Sequence, residues 1–98
     1  MNKQKIAKIK RKLKSLQKKM SEIGPVMRGS VVFIGNPKKY CHFSLNKDKK
    51  THLIYLGNKR EARAREYSNN YKKLLDIIEE MTLLNMTLLK ENIDVDSH

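Results

Sequence analysis

The first 23 residues carry apolar side chains at Ile6, Ile9, Leu13, Leu16, Met20 and Ile23, an unbroken spacing of 3, 4, 3, 4, 3. This is the rhythm of a helix that buries one narrow seam against a single partner helix. The seam is set among cations: Lys3, Lys5, Lys8, Lys10, Arg11, Lys12, Lys14, Lys18 and Lys19 stand against one acid, Glu22. Such a segment cannot make a core by itself, so the rest of the chain must supply its partner. Gly24-Pro25 ends it, because proline cannot continue a helix and disfavours helical backbone in the residue before it. Residues 1–23 are therefore read as a basic amphipathic helix, spanning about 30 Å.

The partner is legible at the other end. Asn58 is a good N-cap, and Glu61 three residues later completes a capping-box pattern. A seam follows at Tyr67, Tyr71, Leu74, Ile78, Met81, Asn85 and Leu88, and a second stripe, Leu75, Thr82, Met86, Leu89 and Ile93, widens the apolar face. Residues 58–93 are read as one long helix, too apolar in its second half to stand alone, with a frayed tail over 94–98. Laying Ile6–Ile23 along Tyr67–Leu88 makes a helical hairpin, and the remaining apolar surface suits a homodimer through the C-terminal helix. Asn85 inside the seam either sets the register of the helix pair or marks the point where the helix face turns outward.

Residues 24–57 read as strands. Ser30 to Ile34 is a β-branched and aromatic run, Gly35-Asn36-Pro37 is a turn, and Tyr40 to Leu45 alternates, with Tyr40, His42 and Ser44 on one face and Cys41, Phe43 and Leu45 on the other. Asn46-Lys47-Asp48-Lys49 is a second turn, and Thr51 to Leu56 a third strand, with Thr51, Leu53 and Tyr55 opposite His52, Ile54 and Leu56. Three strands on short turns make an antiparallel meander, which needs a helix against one face. The expected fold is α+β, a single domain in the order helix, three strands, helix (αβββα), with the long helix covering the sheet. Of the sheet's faces, the more polar one, with Tyr40, His42 and Ser44, is expected to stay open.

The charge is uneven. Of a formal net +12 over 98 residues, segments 1–23, 24–57 and 58–75 carry +8, +5 and +4, and 76–98 carries −5. Closely spaced cations displace the counterions condensed on a nucleic acid, and a merely soluble helix need not carry the self-repulsion of nine cations. Lys10, Arg11, Lys12 and Lys14 are the first candidates for phosphate contact. Lys38, Lys39, Lys49 and Lys50 in the sheet turns and Arg60 and Arg63 on the second helix extend the track. Tyr40 and His42 are candidates for base or sugar contact, since a β-ribbon can enter a major groove with turn lysines on phosphates. A membrane surface is disfavoured, because the apolar face of the first helix lacks Trp and Phe.

Catalysis is not expected. Glu79 and Glu80 are adjacent on a helix and diverge, and Cys41 and His42 are neighbours in a strand and face opposite sides. His42, His52 and His98 have no metal-ligand spacing with Cys41, and Arg28-Gly29-Ser30 lacks a phosphate-loop frame. No cofactor, metal or small-molecule substrate is implied. One Cys excludes an internal disulfide framework and fits a reducing compartment. No signal-peptide core and no run of about 18 apolar residues is present. The Lys, Ile and Asn bias suits an AT-rich prokaryotic or phage genome, so the expected location is the cytoplasm.

Arg28-Gly29-Ser30, Tyr40 to Ser44, Lys50-Thr51, Asn70-Tyr71 and Leu84-Asn85 follow one another in an order that resembles an uncharacterised family of small prokaryotic domains often encoded near mobile elements. The resemblance covers residues 13–90. It implies a leading helix, a Gly-Ser pair opening a strand, a Tyr-rich hairpin and a long final helix. The family's Cys-rich turn is absent here, where Pro37-Lys38-Lys39 stands and only Cys41 remains, so no metal-ribbon role carries over. Leu56-Gly57 followed by Glu61-Ala62 is similar to the end of the sheet in the N-terminal DNA-binding domain of tyrosine integrases. Both resemblances imply mobile-element biology and nucleic acid.

The function expected from the sequence is a small basic nucleic-acid-binding protein without catalysis, with duplex DNA ahead of structured RNA. The alternative is a helical protein-interaction module of antitoxin or nuclease-inhibitor type, whose charges set solubility and partner choice.

Overall fold

The computed structural model describes residues 2–93; the 94–98 tail lies outside the described residues. The order is helix α1 (Lys3–Glu22), strands β1 (Ser30–Ile34), β2 (Tyr40–Lys47) and β3 (Lys50–Tyr55), and helix α2 (Gly57–Lys90). This is the α+β, αβββα arrangement that the sequence pattern implies. No helix among the described residues is long and apolar enough to cross a membrane.

The described residues form two compact units, one of residues 24–72 and one that joins residues 2–23 to residues 73–93. In the first unit the three strands form an antiparallel sheet in sequence order. Ser30 pairs with Ser44 and Phe33 with Cys41; His42 pairs with Tyr55 and Ser44 with Leu53. The second turn is shorter than the expected Asn46–Lys49. Strand β2 continues through Lys47, and only Asp48 and Lys49, with φ of 54° and 63°, form the loop. Two residues in left-handed backbone make a type I′ turn, whose twist matches the strands it joins.

The core of this unit is small: Cys41, Phe43, Leu56 and Ala64 are buried, with Met27 and Val31 packed against them. Alternation along β2 turns Cys41 and Phe43 inward together, and α2 enters through Ala64, whose methyl allows close approach. Three hydrogen bonds tie the segment before β1 to the first half of α2. Met27 N donates to the Tyr67 carbonyl (3.1 Å), Ser68 Oγ to the Gly29 carbonyl (3.1 Å) and Asn70 Nδ2 to the Pro25 carbonyl (2.9 Å). Gly29 stands at φ 149°, and a Cβ there would lie 2.4 Å from the Ser44 carbonyl oxygen and 2.7 Å from the Phe43 ring.

The second unit is an antiparallel pair of helices. Lys12 Nζ meets Glu80 Oε1 at 3.1 Å, and Asn2, Lys5, Lys8 and Ile9 share a groove with Thr87 and Glu91. Asn2 caps α1, its side chain accepting from the Lys5 N–H at 2.8 Å. Leu13, Leu16 and Leu88 are buried, while the other members of the α1 seam are half-buried.

Three sequence expectations need adjustment. Helix α2 opens at Gly57, so Asn58 lies in its first turn rather than at the cap, and it ends at Lys90 rather than 93. The seam does not run unbroken from Tyr67 to Leu88. Its early members, Tyr67 and Tyr71, belong to the sheet unit, and only the later part shares a unit with α1. Ile77 takes the half-buried place expected of Ile78, which is 44% exposed. A helix with apolar residues on two stripes satisfies helical periodicity in either rotation, and packing makes the choice.

Candidate nucleic-acid interface

Each strand of the sheet places alternate residues on opposite faces, and the register sets which residues share a face. One face carries Cys41, Phe43 and Leu45 and packs inward. The other collects Val32 and Ile34 from β1, Tyr40, His42, Ser44 and Asn46 from β2, and Thr51, Leu53 and Tyr55 from β3. On this second face Tyr40, Leu53 and Tyr55 are exposed and His42 and Ser44 half-buried.

Its aromatic groups gather at one end. The Tyr55 ring sits edge-to-face with Tyr40 (centroids 6.3 Å apart, planes at 63°) and with His42 (5.6 Å, 73°). The His42 Nδ1–H donates to the Tyr40 carbonyl at 2.9 Å, because a carbonyl can only accept. Lys38 Nζ lies 5.7 Å from the centre of the Tyr40 ring, a cation–π contact that holds the ammonium beside the same patch.

Lysines stand at both ends of the sheet. Lys38 and Lys39 precede β2, and Lys47, Lys49 and Lys50 lie at the β2–β3 turn. With eight residues in β2, the two clusters are about 25 Å apart along the strand. Arg28 Nη1 donates to the Asn46 carbonyl at 3.1 Å and adds a cation at the turn end. Residues 24–72 hold eleven Lys and Arg against three Asp and Glu, a net +8.

The expected site residues divide between the two units. Lys38, Tyr40 and His42 come together at one end of the open sheet face, with Lys39 just before β2; Lys49 lies in the turn at the other end, and Lys50, paired with Lys47, falls on the opposite face with His52. Arg60 and Arg63 lie in the first turns of α2 in the same unit; the Arg60 Nε donates to the Leu56 carbonyl at 3.0 Å, and Arg63 is exposed. Lys10, Arg11, Lys12 and Lys14 belong to the helical unit and do not form one cluster. Arg11 and Lys14 are exposed, Lys10 is half-buried beside the seam, and Lys12 is held by Glu80.

Tyr55 joins this face although sequence reasoning did not count it among the site residues. Its place directly opposite His42 follows from the register that the two-residue turn sets; a four-residue turn over Asn46–Lys49 would keep Tyr55 on this face but opposite Tyr40. His52, paired with Leu45, lies on the opposite face from His42.

Cys41 is buried, and burial, with Glu61 nearby as the next cause, pushes its thiol above the ordinary value of 9.0. A neutral, enclosed thiol is a packing group rather than a nucleophile. Among the described residues no three His, Cys, Asp or Glu side chains gather as a metal-binding group. Comparison with family models, with curated proteins and with solved structures finds no match.

Proposed function

We propose that this protein binds nucleic acid through the open face of its sheet, with duplex DNA ahead of structured RNA and without catalysis. One observation carries the reading: a face bearing Tyr40, His42, Ser44, Asn46, Thr51 and Tyr55 is bracketed at both ends by lysines, on a unit of net +8. The polar groups of that face suit base edges, and the turn lysines suit phosphates. Three strands at about 4.8 Å spacing make a slab about 10 Å across, close to the width of the B-DNA major groove at about 12 Å. The deep, narrow major groove of an RNA helix admits no such slab, which ranks duplex RNA lower. Arg11, Lys14 and Lys18, three and four residues apart on the outer side of α1, supply a second and sequence-independent basic surface.

Fluorescence anisotropy with labelled duplex DNA, single-stranded DNA and RNA hairpins of equal length tests the proposal. Duplex DNA is expected to bind most tightly, and its affinity to fall steeply with salt. Tyr40→Ala combined with His42→Ala should weaken binding while leaving the salt slope unchanged, because neither residue neutralises a phosphate. Tightest binding to RNA hairpins would overturn the ranking. Absence of binding to all three ligands near physiological salt would overturn the function and favour the protein-interaction reading.

A further inference from the structure

Toward the β2–β3 turn, the open sheet face ends in a pair of polar side chains. Leu56 N donates to the Cys41 carbonyl at 2.9 Å, and Lys47 pairs with Lys50 across the turn. Bonds between β2 and β3 therefore fall at the odd-numbered residues of β2. Asn46 and Thr51 then form a non-hydrogen-bonded pair, in which facing side chains stand closest. The Thr51 hydroxyl donates to Asn46 Oδ1 at 2.8 Å. Thr51 is β-branched and stiff at χ1, so this bond fixes the Asn46 rotamer and which way round its amide oxygen and nitrogen point. Arg28 Nη1 donates to the Asn46 carbonyl at 3.1 Å and ties the backbone of the same residue to the segment before β1. Asn46 and Thr51 are both exposed, and neither of these bonds uses Asn46 Nδ2.

We infer that Asn46 reads an adenine, and Leu53 the thymine paired with it, in the major groove of a duplex bound to this face. The inference rests on the nucleic-acid reading and gives it a base preference. An amide oxygen has two lone pairs, and Thr51 occupies one. The second lone pair and the Nδ2 donors lie on one planar group, which matches the N6 donor and N7 acceptor that adenine presents side by side. Guanine presents two acceptors, O6 and N7, so the amide oxygen would meet an acceptor there. Leu53 follows Thr51 by two residues on the same face and is 46% exposed. It is the diagonal neighbour of Asn46 across the strands. An apolar side chain in that place suits the C5-methyl group, which thymine carries and cytosine lacks.

The rest of the face offers no such pattern. Tyr40, His42 and Tyr55 hold one another at the other end, Val32 and Ile34 are apolar, and the Ser44 hydroxyl suits either kind of base pair. A side chain already fixed loses less freedom on binding, which makes Thr51 a positioning residue for Asn46.

Fluorescence anisotropy with duplexes of equal length tests the inference. One contains only A·T pairs in mixed order, one only G·C pairs, and a third is the A·T duplex with every adenine replaced by 7-deazaadenine. Equal length fixes the number of phosphates, and an all-A·T duplex offers an adenine at every pair. 7-Deazaadenine still pairs with thymine and loses only the N7 acceptor. Wild type should bind the A·T duplex about 5- to 150-fold more tightly than the G·C duplex, and 7-deazaadenine should remove most of that preference. Asn46→Ala should bind all three alike, with an unchanged circular dichroism spectrum. Thr51→Val, which keeps the shape and strand propensity of the side chain, should lower the preference without changing affinity for the G·C duplex. Uracil in place of thymine, which removes the methyl group, should weaken binding by wild type but not by Leu53→Ala. Binding to none of the duplexes overturns the nucleic-acid reading and this inference with it. Binding without an A·T preference, or a preference that survives 7-deazaadenine or Asn46→Ala, overturns this inference alone. Equal binding of the thymine and uracil duplexes by wild type overturns the part given to Leu53.

Discussion

Replacing Gly29 with alanine should damage the sheet unit far more than the size of a methyl group suggests. The added Cβ would sit 2.4 Å from the Ser44 carbonyl oxygen, and 2.7 and 2.8 Å from two carbons of the Phe43 ring. The first neighbour is the backbone of the central strand and the second is buried core, so neither can swing away. The backbone at φ 149° is itself disfavoured for any residue with a Cβ, by about 1–3 kcal/mol. Displacing a packed ring adds about 1–3 kcal/mol. Together they give about 2–6 kcal/mol, a large share of the roughly 5–15 kcal/mol that holds a domain of this size. A loss of about 3 kcal/mol lowers the melting temperature by about 12–24 °C.

Gly24→Ala is the matched control. Its Cβ would meet only the flexible Asn70 Nδ2, at 3.4 Å. It should leave stability within about 1 kcal/mol of wild type, since alanine also loses less freedom on folding. Thermal and urea unfolding followed by circular dichroism measure both. A Gly29→Ala protein within about 0.5 kcal/mol of wild type would refute the close approach of Gly29 to β2 and, with it, the register of the β1–β2 pair.

Lys49→Gly should stabilise the protein by about 1 kcal/mol, because glycine adopts the left-handed conformation of the β2–β3 turn without the penalty that lysine bears. The same change should reduce the salt slope of DNA binding by about 0.9 if that lysine meets a phosphate. Cys41 should react with a thiol reagent only on unfolding. Because folding raises its thiol above 9.0, the folded state holds the proton more tightly. Stability is then intact below that pH and falls as the pH rises past it, and Cys41→Ala should flatten the decline in a series of urea titrations. Lys12→Gln should cost no more than about 1 kcal/mol, since its ion pair with Glu80 is largely in water.

Much of this fold is legible in the residues, and the exceptions have physical reasons. Alternation along β2 identifies Cys41 and Phe43 as inward because a central strand has one face covered and one open. Strand β3 resists the same reading. As an edge strand it leaves Leu53, Ile54 and Tyr55 all about half exposed, so alternation does not sort them. Ala64 and Ser68 are buried without any hydropathy signal, Ala64 because it is small and Ser68 because its hydroxyl reaches the Gly29 carbonyl. The basic character of the chain is evident from composition. The division of its cations is not, because which lysines gather with Tyr40 depends on the turn geometry, and the pairing of Lys12 with Glu80 depends on the register of the two helices.

The central claim is that the lysines at the two ends of the sheet hold phosphates. Its most direct test is the salt dependence of duplex binding by a variant with Lys38, Lys39, Lys49 and Lys50 all changed to Gln. Four phosphate contacts give a slope contribution of about 3.6, so raising salt from about 50 to about 200 mM costs about 150-fold in affinity through them. The variant should lose that part of the slope, while a variant of Lys10, Arg11, Lys12 and Lys14 should lose less, since Lys10 is half-buried and Lys12 is held by Glu80. A sheet variant with the wild-type slope, beside an α1 variant that loses most of it, would contradict the account and move the interface to the helix.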